Sequence, residues 1–227
     1  MIHRGFRRVI SGPVYAEVTH DLTYVNAYGD PIVDEVRTVR AWWGSNEQRY
    51  LDFTFEILSA RDRGPNPFFL AVRLPNFGVS EGIGRITNSA GRPVPAPVGE
   101  DRYFHAEWID ASGPTGDPPW APATAPPEVL VDAPGYVPPR KGPPEGPWNG
   151  IALFDHPENN GYPNVHGKYA GSRGAVQMTQ GHYPPESAPT GPFTFRHRVY
   201  VHDGDAEAAQ VARRHAEYAA PCRVEIG

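Results

Sequence analysis

A single cysteine, Cys222, stands in 227 residues. One thiol forms no internal disulfide, so the fold draws nothing from an oxidising compartment. Long apolar runs are missing too. The densest, residues 67–72 and 150–154, are strand-sized, and nothing approaches the roughly 18 apolar residues that read as a membrane-spanning helix. Positive charge is not in excess: 21 Lys and Arg face 26 Asp and Glu, a formal net charge of −5. That argues against a nucleic-acid partner, which asks for a basic face. Arg4, Arg7 and Arg8, and further on Arg196 and Arg198, read as solvated strand faces. The basic start, residues 1–8, lacks an apolar core region and is no signal peptide, so the expected location is cytoplasmic, without a membrane partner. Chemical signatures are scarce as well. There is no His-x-His, no pair of histidines four apart on a helix, no Gly-x-Ser-x-Gly elbow, and Gly82 to Gly84 does not link a strand to a helix as a nucleotide loop would.

What is present suits a globular chain. The hydrophobic share is 39% and the charged share 21%. A compact chain of this length buries roughly 70% of its unfolded surface, so a substantial core is available. Period-2 patterning dominates. Residues 9–24 alternate, with Val14, Ala16 and Val18 on one face and Tyr15, Glu17 and Thr19 on the other. Turn residues at 26–31 precede a β-rich run at 33–43. Leu51, Phe53, Phe55 and Ile57 then alternate strictly in a strand over 50–58. Further strands are predicted at 68–74, 83–86, 103–109, 150–154, 175–180, 193–202 and 223–226. Residues 114–147 hold close to half of the 27 prolines and read as an extended surface excursion, since proline cannot donate to a strand ladder. Residues 155–173, rich in Pro, Asn and Gly, read as irregular. The one helix expected runs from Asp205, its N-cap, to Ala219, with Pro221 beyond. The fold class is therefore all-β: an antiparallel β-sandwich in a single domain, 1–227, with one C-terminal helix and a long Pro-rich loop.

Candidate chemistry gathers in loops, where sites are usually built. Asp155, His156, Asn159, Asn160, His166, Tyr169, Gln177 and His182 form the richest polar stretch. His105, Glu107 and Asp110 form a second set around Trp108. Histidines with carboxylates fit acid–base catalysis, and equally a divalent metal such as zinc or iron, although no diagnostic spacing selects the metal. The plain alternative is that Asp155 caps its turn and His156 is a hydrogen-bonded structural residue. His197 and His215 read as structural, and His202 with Asp203 as shaping the start of the helix. Five tryptophans and eleven tyrosines could line a sugar platform, or simply fill the core.

Several stretches are similar to a known family. Residues 2–14 (IHRGFRRVISGPV), 84–91 (GRITNSAG), 107–113 (EWIDASG), 150–157 (GIALFDHP) and 198–204 (RVYVHDG) resemble, in order, the PmoA-like bacterial family, often labelled methane oxygenase PmoA. A methane monooxygenase subunit needs spanning helices, which this sequence lacks. The resemblance implies a β-sandwich related to the supersandwich of sugar mutarotases, and a role in carbohydrate metabolism. Carried over residue by residue, it places an aspartate on Asp110, a Phe-Asp-His-Pro motif on residues 154–157 and, loosely, a histidine on His166. It departs at Ala111, where the family has tyrosine. It also implies a further N-terminal histidine-rich stretch, Asp-His-Pro-His-His-Arg-Gly, ahead of this start. The expectation is an exposed sheet edge that a partner chain or a second copy completes.

The leading functional expectation is an enzyme performing acid–base chemistry (epimerisation, elimination or hydrolysis) on a sugar or glycoside. His156 and His166 would be acid and base, Asp110 would orient one of them, and Trp108, Asp155, Tyr169, His182 and His105 would contact substrate. The alternative is a non-catalytic module binding a saccharide or a protein. A metal-dependent oxygenase, which the family label suggests, is the third.

Overall fold

The computed structural model describes residues 1–45, 48–60, 69–73, 84–91, 103–115, 146–169, 175–179 and 192–221. Twelve strands and one helix follow in chain order: β1 (Ile2–Ser11), β2 (Tyr15–Val25), β3 (Pro31–Ser45), β4 (Gln48–Ala60), β5 (Phe69–Arg73), β6 (Arg85–Asn88), β7 (Tyr103–His105), β8 (Trp108–Pro114), β9 (Trp148–Asp155), β10 (Val165–Tyr169), β11 (Ala175–Thr179), β12 (Phe193–Asp203) and α1 (Val211–Ala219). They build two sheets, ordered β1-β2-β3-β4-β12-β9-β8-β6 and β5-β11-β10-β7. Every pairing is antiparallel. The expected all-β sandwich with a single C-terminal helix is the fold observed.

Alternation dictates the core. The β4 stripe Leu51, Phe53, Phe55 and Ile57 lies on one face of the large sheet. Leu51 and Phe53 pack with Ile109, Leu153 and Val199 against Leu70, Val72 and Phe104 of the small sheet. Phe55 and Ile57 continue the stripe with Val33 and Phe195. The opposite face of the large sheet carries α1, where Val211 and Tyr218 cover Ala152, Phe154 and Tyr200.

Local details differ from expectation in instructive ways. Residues 9–24 are not one strand: the chain turns between Ser11 and Tyr15, where Gly12 N donates to Tyr15 O at 3.1 Å. Residues 103–109 divide at Ala106–Glu107, so that β7 joins the small sheet and β8 the large one. Residues 165–169, within the stretch read as irregular, form β10. The helix begins at Val211, not Asp205, which instead accepts the Ala208 amide at 3.0 Å in the turn before it. The Pro-rich excursion leaves and rejoins the β8–β9 hairpin, whose ends are tied by Thr115 N donating to Pro147 O at 3.0 Å. Its interior, 116–145, and the strand expected at 223–226 lie outside the described residues. Among the described residues no helix is long and apolar enough to cross a membrane.

Candidate functional site

Asp110 sits in β8 on the face that α1 covers, opposite Ala152. It is fully buried, and its Oδ2 lies 2.8 Å from Nε2 of buried His202 in β12. Burial pushes the Asp110 carboxyl up from its usual range, against the pull of His202. His202 Nδ1 is 3.3 Å from Asp203 O. Asp110 thus orients His202. It does not orient His156, which follows the end of β9. This corrects the catalytic role expected of Asp110, and the cause is register: the strand ladder seats it against β12, sealed from solvent.

Asp155 ends β9 facing the small sheet. Its Oδ2 accepts from Asn164 N at 2.7 Å and Asn164 Nδ2 at 3.0 Å, and its Oδ1 from Asn159 Nδ2 at 2.7 Å. Its own amide donates to Glu107 O at 2.9 Å, and its carbonyl accepts from His215 Nε2 at 3.2 Å. Asn159 also clamps Arg196, donating to its carbonyl at 2.6 Å and accepting from its amide at 2.8 Å. Asp155 is therefore the buried anchor of the loop 156–164, and its expected substrate contact is corrected, because donors surround the carboxylate and no part of it reaches solvent.

His156 points the other way. It is half-buried and stands edge-on to Tyr218 with ring centroids 5.1 Å apart. Its Nδ1 accepts from Glu158 N at 3.1 Å, which leaves the proton of the neutral ring on Nε2. Burial lowers its pKa, with Arg196 pulling the same way and Glu158 opposing. His105, exposed, donates from Nδ1 to Pro163 O at 2.7 Å, and half-buried Trp108 packs beneath α1. So His105, Asp155 and His156 each bond to the segment 156–164, Trp108 lies opposite Phe154, and Asp110, two residues further along β8, is taken up by His202. His166 and Tyr169 lie on β10 of the small sheet, His166 in register with Phe104 and Met178. His182 is outside the described residues. Among the described residues no three His, Cys, Asp or Glu side chains are grouped to hold a metal ion.

His197, on β12 beside Asp155, is buried and its pKa falls to about 4, chiefly through desolvation. A histidine kept neutral in the fold must gain a proton on unfolding in acid. Stability is therefore full above about pH 6.5 and is lost as pH falls from there toward 4. Between pH 7 and 5 the loss attributable to His197 is about 2 kcal/mol, read from urea midpoints, and His197→Gln flattens that slope.

A second feature escaped the reading of the sequence because only strand register assembles it. On the α1-side face, Tyr15, Trp42, Tyr50 and Tyr200 lie in register across β2, β3, β4 and β12. The next row is Glu17, Arg40, Asp52 and Arg198, and the one after it Thr19, Thr38, Thr54 and Arg196. Opposite charges alternate along the middle row. Arg40 grips Glu17, and Arg198 is bidentate on Asp52 at 2.5 and 2.7 Å. Trp42 Nε1 donates to Asp52 at 2.7 Å. Arg40 lies over the Tyr15 and Trp42 rings at 5.4 and 5.3 Å, and Arg198 over Tyr50 and Tyr218 at 5.1 and 4.5 Å. Because Tyr218 also meets His156, this face runs without a break to the histidine. The signal was present in Tyr15, Glu17 and Thr19, which already shared the polar face of their strand.

No curated protein and no solved structure matches the chain. Residues 1–216 match the model of DUF6807, a family of unknown function, and the chain belongs to that family.

Proposed function

We propose that the protein binds a saccharide on the α1-side face of its large sheet, as a recognition protein. The observation that carries this reading is the in-register aromatic row Tyr15, Trp42 and Tyr50, each ring half-buried, laid beside the Arg–carboxylate row. A pyranose has a face of C–H groups that lies flat on an aromatic ring and a rim of hydroxyls suited to guanidinium and carboxylate groups. The PmoA-like resemblance gives the same direction; the function of the matched family is unknown. Titrating the full chain with a panel of oligosaccharides is expected to quench tryptophan fluorescence saturably without product. Trp42→Ala should lower the affinity at least tenfold while circular dichroism keeps the β-sheet signal. Absence of saturable binding across the panel overturns the proposal.

The acid–base enzyme is the second reading, and His156 favours it: a neutral, half-buried imidazole at the edge of the same face. It lacks the carboxylate partner that Asp110 was expected to be. Product formation from any saccharide that disappears in His156→Ala, with affinity retained, would replace the recognition reading by this one.

A further inference from the structure

We infer that the saccharide taken by this face is acidic, one carrying a carboxylate such as a uronic acid unit; the inference rests on the saccharide reading above. The depth of the charges supports it. The carboxylates of the charged row are sunk, with Glu17 at 3% side-chain exposure and Asp52 at 20%. The side chains of Arg8 and Arg40 are more open, at 61% and 38%, while Arg198 is as sunk as Asp52. Both carboxylates are also occupied. Glu17 holds Arg40 and, at 3.4 Å, Arg8, while Asp52 holds Arg198 and the Trp42 indole. Three arginines therefore share two carboxylates along this row. Arg8 is the loosest of them, since the Glu17 contact through Nε is its one polar contact among the described residues and its terminal nitrogens remain for a ligand. Further along β2, Asp21 is closed by Arg7 at 2.7 Å, so it does not compete for Arg8.

A ligand lying on the aromatic row and the Glu17–Arg40–Asp52–Arg198 row finds guanidinium edges interleaved with aromatic rings, and both carboxylates of that row already held by cations. Exposed Glu56 lies two rows further along β4 on the same face. Guanidinium binds a carboxylate through two parallel N–H bonds, a geometry that a neutral hydroxymethyl group cannot return. The local excess of positive charge belongs to a chain of net charge −5, so attraction comes from this patch and not from the molecule as a whole.

The test is a matched pair of ligands: α-1,4-linked trigalacturonate and α-1,4-linked galactotriose, which differ only at C6. Each is titrated into the full chain by calorimetry at about 20 and 300 mM salt. The acidic sugar is expected to bind at least tenfold more tightly at low salt, and the preference should shrink at high salt. Arg8→Gln, at an exposed position, should reduce the preference to threefold or less, by weakening trigalacturonate binding more than galactotriose binding. Equal affinities, or a preference unaltered by Arg8→Gln, overturn the acidic-ligand inference and leave the saccharide reading standing. If neither sugar binds, the acidic-ligand inference falls, and the oligosaccharide panel alone decides the saccharide reading.

Discussion

Replacing Asp155 by alanine is expected to lower stability by about 3–5 kcal/mol, the range for removing one partner of a buried charged network. The change strips the acceptor from Asn164 N, Asn164 Nδ2 and Asn159 Nδ2 at once. Each is left desolvated, at a cost of about 1–3 kcal/mol apiece, partly relieved as water enters the cavity. Asn159 in turn loses its hold on the Arg196 backbone, so the damage reaches β12. Asp155→Asn should fall between, because one oxygen still accepts while the new amide faces donors. Urea denaturation separates the outcomes. A loss below about 1 kcal/mol for Asp155→Ala would mean that the loop 156–164 is held by something other than this carboxylate. The same variants distinguish an anchor from a catalytic group. If the loss of stability accounts for any loss of ligand affinity, Asp155 acts only by fixing His156 and its loop.

How much of this was legible beforehand depends on the distance over which the information acts. The alternation of Leu51, Phe53, Phe55 and Ile57 is local and announced β4 directly. The division of 103–109 was not announced, because Phe104 and Ile109 are equally apolar and both end in the same buried layer, one from each sheet. β10 was hidden by its Pro-, Asn- and Gly-rich surroundings, since pairing with β7 and β11 makes it a strand whatever its flanks suggest. In the site, the grouping of Asp155 with His156 was readable from adjacency alone. Their opposite orientations follow from the strand period, and one became an anchor while the other faces α1. The pairing of Asp110 with His202 spans 92 residues and leaves no local trace. Of the aromatic and charged rows only the β2 members, Tyr15, Glu17 and Thr19, showed in the sequence, because Tyr15, Trp42 and Tyr50 become neighbours only when three strands adopt one register.

Gly150→Ala should be as damaging as the loss of Asp155, through a single methyl group. A Cβ at Gly150 would lie 2.7 Å from His202 Nε2, closer still to Cε1, and 2.9 Å from Ser112 Cβ. None of these can yield cheaply. His202 and Ser112 are buried, and the His202 ring is fixed by its 2.8 Å contact with Asp110. Overpacking alone costs about 1–3 kcal/mol. Displacing the ring also strands the Asp110 carboxylate, fully buried and already raised by desolvation, so the total is expected at about 4 kcal/mol. The two contributions separate in a double-mutant cycle. His202→Ala alone also orphans Asp110 and should cost about 3–5 kcal/mol. It removes the obstacle at the same time, so Gly150→Ala placed on top of it should add less than about 1 kcal/mol. Strict additivity of the two changes, measured by urea denaturation, would show that the glycine is not there to admit the histidine ring. Strong non-additivity would assign the glycine of GIALFDHP, the aspartate of EWIDASG and the histidine of RVYVHDG to one packed unit. Three of the motifs in the sequence would then owe their residues to the joining of β8, β9 and β12 under α1, and the face of β2, β3 and β4 proposed to bind saccharide would be free to differ in chemistry without disturbing it.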